Sequence, residues 1–337
     1  MTREQFRPAD HPHEHFLLKT VVGSYPRPTW LDEVQETAEK AAYSEAVDDA
    51  CRAVISTQEA AGLDVVTDGE VRREDMVEYF AAVIDGYDVE GGDDGSSWTS
   101  HMPSVVDTVS RVDPWLADDY RFAAKHAYRP IKLTITGPFT LASFSDMQAY
   151  ESVPTLAGDL ASLVAAEVES LLETGVRYLQ IDEPALGMTP HADVARDCLD
   201  PIAAAVPDDV RLGLHVCSGN YTNLAPDMFE FPVDELDLEF ASEDADPVGE
   251  IFANVDLDVD VGIGVVDSSK KAIESVETVQ ANIEAALEYI PPDRLTITPD
   301  CGMKPLPRAS ADGKLDAMVE AARRTEAGLD DGELDTA

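Results

Sequence analysis

Eight short, β-rich apolar runs punctuate the chain, and nearly every one breaks off at polar residues. They read FLLKTVVGS (16–24), LDVVTDGE (63–70), IKLTITGP (131–138), RYLQIDEP (177–184), RLGLHVCS (211–218), LDLEFASE (236–243), VDVGIGVVD (259–267) and RLTITPDCG (294–302). Longer segments with apolar residues at three- and four-residue spacing lie between them. One spans 156–175 and closes on Gly175, and another spans 271–292 and is stopped by two prolines. Eight strands alternating with helices predict an α/β fold, a (β/α)8 TIM barrel. A doubly wound sheet shares that alternation, but no Gly-x-Gly-x-x-Gly follows the first run.

The rhythm assigns residues 17–328 to a single barrel domain, interrupted over 85–130 by an excursion after the second strand. Residues 1–16, with His11, His13 and His15 among prolines, read as a flexible N-terminal arm, and 329–337 as a frayed tail. A hydrophobic content of 44% supplies a sizeable core. Against 24 basic residues stand 67 acidic ones, a net charge of −43 spread along the whole chain. Such a surface repels nucleic acid and anionic membranes, and it suits a halophilic cytoplasm where salt screens the self-repulsion. The N-terminus has no apolar signal core and no apolar run reaches membrane length, so a cytoplasmic location is expected. Cys51, Cys198, Cys217 and Cys301 are too scattered to suggest a disulfide framework.

Active sites of such barrels sit at the C-terminal ends of the strands, so the polar residues that end the runs converge there. Residues two apart on a strand share a face, which lets His215 and Cys217 meet one ion. Each residue also has a plainer reading. The pair fits a buried strand carrying two polar atoms, Glu239 the polar face of a half-buried strand, and Cys301 a small buried thiol. Taken together, His215, Cys217, Glu239 and Cys301 end the fifth, sixth and eighth strands at one rim. Imidazole, two thiolates and a carboxylate form a tetrahedral set suited to Zn2+. A site this rich in negative charge is a poor Lewis acid, but it suits holding an incoming thiol as a nucleophilic thiolate for alkyl transfer.

Six segments extend the pattern: VVGSYPRP (21–28), DGEVRREDMVEYF (68–80), TGPFT (136–140), QIDEPAL (180–186), LHVC (214–217) and PDCGMKPLP (300–307). In these segments and their order, the chain resembles the catalytic, C-terminal barrel of cobalamin-independent methionine synthase, in its short archaeal form. The resemblance implies zinc on His215, Cys217, Glu239 and Cys301, and methylation of homocysteine to methionine. It also implies a homocysteine site made by Val22, Gly23, Ser24, Glu70 and Asp182. Two carboxylates suit an ammonium, and a Gly-Ser turn offers N–H donors to a carboxylate. From the residues alone, Glu70 could instead pair with Arg72 or Arg73, and Asp182 could cap the turn after its strand, which Glu183 and Pro184 shape.

The departures from the family pattern concern the methyl donor. Phe144 stands where the folate-using enzymes carry a Trp, Met188 replaces an acidic residue, and Ser269 falls where a proton-donating His is expected. The Arg-Cys pair after the second strand has no clear counterpart. A methyl-folate nitrogen must be protonated before it leaves, whereas the cobalt of methylcobalamin or a corrinoid protein need not be. Either donor fits the resemblance, with Asp267, Asp300 or a partner polypeptide supplying missing groups for folate. Two competing readings keep the zinc. Alkyl transfer to coenzyme M would set Glu70 and Asp182 against a sulfonate, and a non-catalytic zinc- or homocysteine-binding partner of a larger synthase would show no turnover.

Overall fold

The computed structural model describes residues 2–89, 102–189, 191–217, 221–225, 227–334 and 336; part of the expected excursion, 90–101, lies outside the described residues, as do 335 and 337 of the expected tail. Its strands are β1 (Leu18–Lys19), β2 (Asp85–Asp88), β3 (Ser104–Ser110), β4 (Lys132–Thr136), β5 (Asp146–Met147), β6 (Tyr178–Asp182), β7 (Arg211–Val216), β8 (Glu235–Leu238), β9 (Asp260–Gly264) and β10 (Leu295–Thr298). Seven of them form one curled sheet in the order β1-β10-β9-β8-β7-β6-β4, with every neighbouring pair parallel. Residues 64–66 span the remaining gap. The Asp64 N–H donates to the Lys19 carbonyl at 2.9 Å, Val66 donates to Pro130 at 3.0 Å, and Lys132 donates back to Val66 at 2.9 Å. The eight runs thus circle the barrel, although the second contributes a single bridge, Val66 to Ile131, rather than a full strand. Its C-terminal half is consumed by a turn, with Gly69 at φ +69° and Glu70 at φ +52°.

Strand alternation sorts the two faces. Leu133, Ile135, Leu179, Ile181, Leu212, Leu214, Leu236 and Leu238 point outward into the main apolar core shared with the helices. The inward positions are polar. Lys132, Gln180, Arg211, Glu235 and Asp237 are all buried. Arg211 pairs with Glu235 at 2.6 Å and with Asp260 at 2.8 Å, and Thr296 Oγ1 donates to Glu235 at 2.8 Å. Arg211 and Glu235 thus match one another's charge inside the barrel.

Residues 2–16, expected to belong to a flexible arm, are docked against the N-terminal ends of the barrel strands. A 3-10 turn over Arg3–Phe6 puts Arg3 inside, where its guanidinium donates to the carbonyls of Phe16 (2.8 Å), Pro292 (3.1 Å) and Leu295. Phe6 packs on Tyr178 with centroids 5.4 Å apart, in a small cluster with Phe16, Leu18 and Val65. His13 and His15 hold Asp330 at 3.1 and 2.9 Å on the last helix, Arg308–Asp330. Residues 331–334 turn back at Gly332, where the Glu333 N–H reaches the Gly328 carbonyl at 2.9 Å.

In the described part of the excursion, β2 and β3 pair antiparallel and β5 joins β3. Buried Glu167 ties this region to the helix Val153–Leu172, accepting from Arg111 (2.7 Å) and from the N–H groups of Trp115 and Leu116. That helix is the expected 156–175 element shifted towards its N-cap, Ser152. The expected 271–292 helix is shorter, Val276–Leu287, because Ser275 caps it by accepting from the Thr278 N–H.

Candidate metal and amino-acid site

The register of the sheet places Asp182 opposite His215 and His215 opposite Asp237, around the rim formed by the C-terminal ends of the strands. His215 and Cys217 project from the end of β7, and Cys301 comes from the turn after β10. One ligand atom from each lies within 4.8 Å of the other two, and the two sulfurs are 3.3 Å apart. Among the described residues, neither ring nitrogen of buried His215 has a partner at hydrogen-bond distance. The nearest acid, Asp237, has Oδ2 3.6 Å from Nδ1 and is itself oriented by Thr298 Oγ1, which donates to its Oδ1 at 2.7 Å. Gly262 makes room for this carboxylate, since a Cβ there would stand 2.8 Å from Asp237 Oδ1. An imidazole with both nitrogens open, a carboxylate nearby and two thiols at contact distance fit a borderline-soft divalent ion such as zinc.

The cysteines differ sharply. Burial pushes the thiols of Cys51 and Cys198 up to about 12, as befits inert core residues. Cys301 is drawn down to about 5, first by the hydrogen bond with Cys217 and then, against burial, by His215. Burial would lower His215, but Asp237 and Cys301 raise it well above its ordinary value. Glu239 is not a member of the close triad. It lines a neighbouring cavity of about 380 Å³ together with Cys301 and Asp267, and its N–H donates to Tyr221 Oη at 2.9 Å.

A cavity of about 290 Å³ opens beside the triad, lined by Val22, Ser24, Glu70 and Asp182 as well as His215, Cys217 and Cys301. Gly23 supports its floor, since a Cβ there would stand 2.3 Å from Glu70 Oε1. Glu70, the single non-glycine residue with positive φ among those described, accepts from Thr134 Oγ1 at 2.8 Å. Arg72 turns away to Asp48 (2.5 Å) and Asp119 (3.2 Å), and Arg73 donates to the Thr134 carbonyl at 2.8 Å. Burial, then the nearby Glu70 carboxylate, pushes Asp182 up to about 7. Glu183 makes no side-chain cap in the turn after its own strand; it accepts instead from the N–H groups of Phe139 (2.9 Å) and Thr140 (2.7 Å) at the start of helix Pro138–Ser143, which follows the neighbouring β4.

Asp267 accepts from the Ser269 N–H at 2.8 Å and from its hydroxyl at 2.6 Å, with Lys270 at 3.4 Å. Burial works to raise its pKa, yet these contacts outweigh it and the carboxyl is lowered. Asp300 is the opposite case, pushed up to about 8 by burial despite accepting from the Phe240 and Ala241 N–H groups. Phe144 is buried in the apolar core, and Met188 is exposed. Sequence reasoning passed over Asp237 and Gln180. Each stands two residues before a residue it did select, Glu239 and Asp182, and therefore on the same inward face.

The family described as cobalamin-independent synthase, catalytic domain, matches residues 17–324. The chain is similar to the methionine synthase of Sulfurisphaera tokodaii, at 36% identity over 91% of this chain and 92% of that one. It is similar to that of Saccharolobus solfataricus at 38% identity, over 91% and 94%. Among solved structures, the B12-independent methionine synthase of Shewanella sp. W3-18-1 in complex with selenomethionine superposes with a TM-score of 0.85. Identity there is 26%, covering 93% of this chain and 98% of that one. With the whole barrel aligned to these relatives, the chain belongs to the cobalamin-independent methionine synthase catalytic-domain family.

Proposed function

We propose that the protein makes methionine by transferring a methyl group to the sulfur of homocysteine at a zinc site formed by His215, Cys217, Glu239 and Cys301. The observation that carries this reading is the convergence of His215, Cys217 and Cys301 beside a cavity bearing Glu70 and Asp182. When bound, zinc would lower the pKa of the substrate thiol so that it attacks as a thiolate at neutral pH. The chain's own residues do the rest. Glu70 and Asp182 take the ammonium, and Ser24 with the Val22–Gly23 backbone takes the carboxylate. Glu239, beside Cys301, supplies the fourth ligand from the neighbouring cavity. The Shewanella relative, solved with selenomethionine, supports an amino acid of this shape.

Two observations favour a methylated corrinoid over a methyl-folate. Among the described residues, no aromatic ring lines the cavity shared by Glu239, Asp267 and Cys301, so no aromatic face there stacks a pterin. Asp267 is held in its ionised form and is a poor proton donor to a folate nitrogen. The test is methionine formation from homocysteine with methylcobalamin and with a methyl-folate, assayed separately. Turnover with methylcobalamin, abolished in His215→Ala and Cys301→Ser, is expected. No methionine from either donor contradicts the reading.

A further inference from the structure

Gln180 lies two residues before Asp182 on β6, so both side chains point into the barrel. Its Nε2 donates to the Val22 carbonyl at 3.0 Å and to Asp182 Oδ1 at 2.6 Å. Its Oε1 accepts from Lys132 Nζ at 2.5 Å. The amide has no freedom to flip. A backbone carbonyl only accepts, so the NH2 end must face Val22, which leaves the oxygen for Lys132. Lys132 and Gln180 are each 1% exposed, and neither lines the cavity. Lys132 is fixed in turn, with its ammonium 5.4 Å from the centre of the Tyr178 ring.

The geometry points to Lys132 and Gln180 as a positioning pair for substrate recognition. Together they hold the Asp182 carboxylate and the Val22 carbonyl where the amino-acid end of the substrate binds. Lys132 sets the amide, and the amide's two hydrogens set one group on each side of the cavity floor. Asp182 comes from β6 and Val22 from the loop after β1, on different parts of the barrel. Gln180 is therefore the direct link that fixes their spacing. This inference rests on the homocysteine reading above.

The experiment compares binding of L-homocysteine and of 4-mercaptobutyrate, which lacks only the ammonium, to zinc-loaded protein. Wild type is expected to prefer homocysteine. In Lys132→Met that preference should shrink about tenfold, the size expected when a hydrogen bond to a charged group is lost, with zinc content unchanged. Gln180→Met, which leaves the chain's charges intact, should do the same and carries the test if Lys132→Met does not fold. An unchanged preference, or equal weakening of both ligands, overturns the proposal, because a purely structural role would not distinguish the two. A wild type that does not prefer homocysteine removes the amino-acid reading and this proposal with it, while leaving the zinc reading intact.

Discussion

At the scale of the residue, the site depends on carboxylates that touch no ligand. Asp237 faces His215 Nδ1 at 3.6 Å, and a carboxylate there favours the tautomer that leaves Nε2 free to ligate. Replacing it by Asn is predicted to weaken zinc binding about 10–100-fold, read by competition with a chromogenic chelator. An unchanged affinity would remove Asp237 from the site. Glu235 poses a different question. Burial pushes its carboxyl up, but Arg211 and Lys132 overcome that and hold it at about 2, below its ordinary 4.5. Its contribution is thus complete above 4.5 and is lost as pH falls through about 2. Glu235→Gln is predicted to cost about 3–5 kcal/mol at neutral pH, as expected when one partner of a buried ion pair is removed. In urea titrations across acidic pH, the gap between variant and wild type should close towards pH 2. A gap that stays constant would show that the ion pair is not its source.

Elements explain why some of this was readable in the sequence and some was not. The strand ends were legible because apolar runs stop abruptly at His215, Asp182 or Cys301, and barrel topology then brings those ends together. Which face of each strand points inward was not. A barrel strand is dry on both sides, so the alternation in ELDLEF looks like a half-buried strand although Glu235 and Asp237 are the inner face. Arg3 and Phe6 carried no local signal, because their partners at Pro292, Leu295 and Tyr178 are remote in sequence. That plug is predicted to matter for the barrel as a unit. Phe6→Ala should cost about 3–5 kcal/mol, read by chemical denaturation. A loss below about 1 kcal/mol would mean that the arm only rests on the barrel. At the opposite end, a Cβ at Gly264 would sit 2.6 Å from Asp300 Cα, so Gly264→Ala must displace the segment that carries Cys301.

The whole molecule carries a net charge of −43, and ion pairs such as Arg52–Asp49 and Arg121–Asp118 lie exposed at its surface. Self-repulsion of that size is relieved by salt. Thermal melts in KCl should therefore show a midpoint that rises from about 0.01 M to about 1 M, over which the Debye length falls from about 30 Å to about 3 Å. A flat or falling midpoint would mean that the acidic surface is not what limits stability. The same charge leaves the thiol chemistry to a local arrangement, in which two cysteines and a histidine meet at one rim while the other two cysteines stay in the core. Under the proposed function this rim would hold zinc, which would in turn hold the substrate's sulfur as a thiolate. X-ray absorption at the zinc edge tests it most directly. One zinc per chain with two sulfur neighbours, rising to three when L-homocysteine is added, is the predicted result; a protein without zinc, or a sulfur count unmoved by homocysteine, would contradict it.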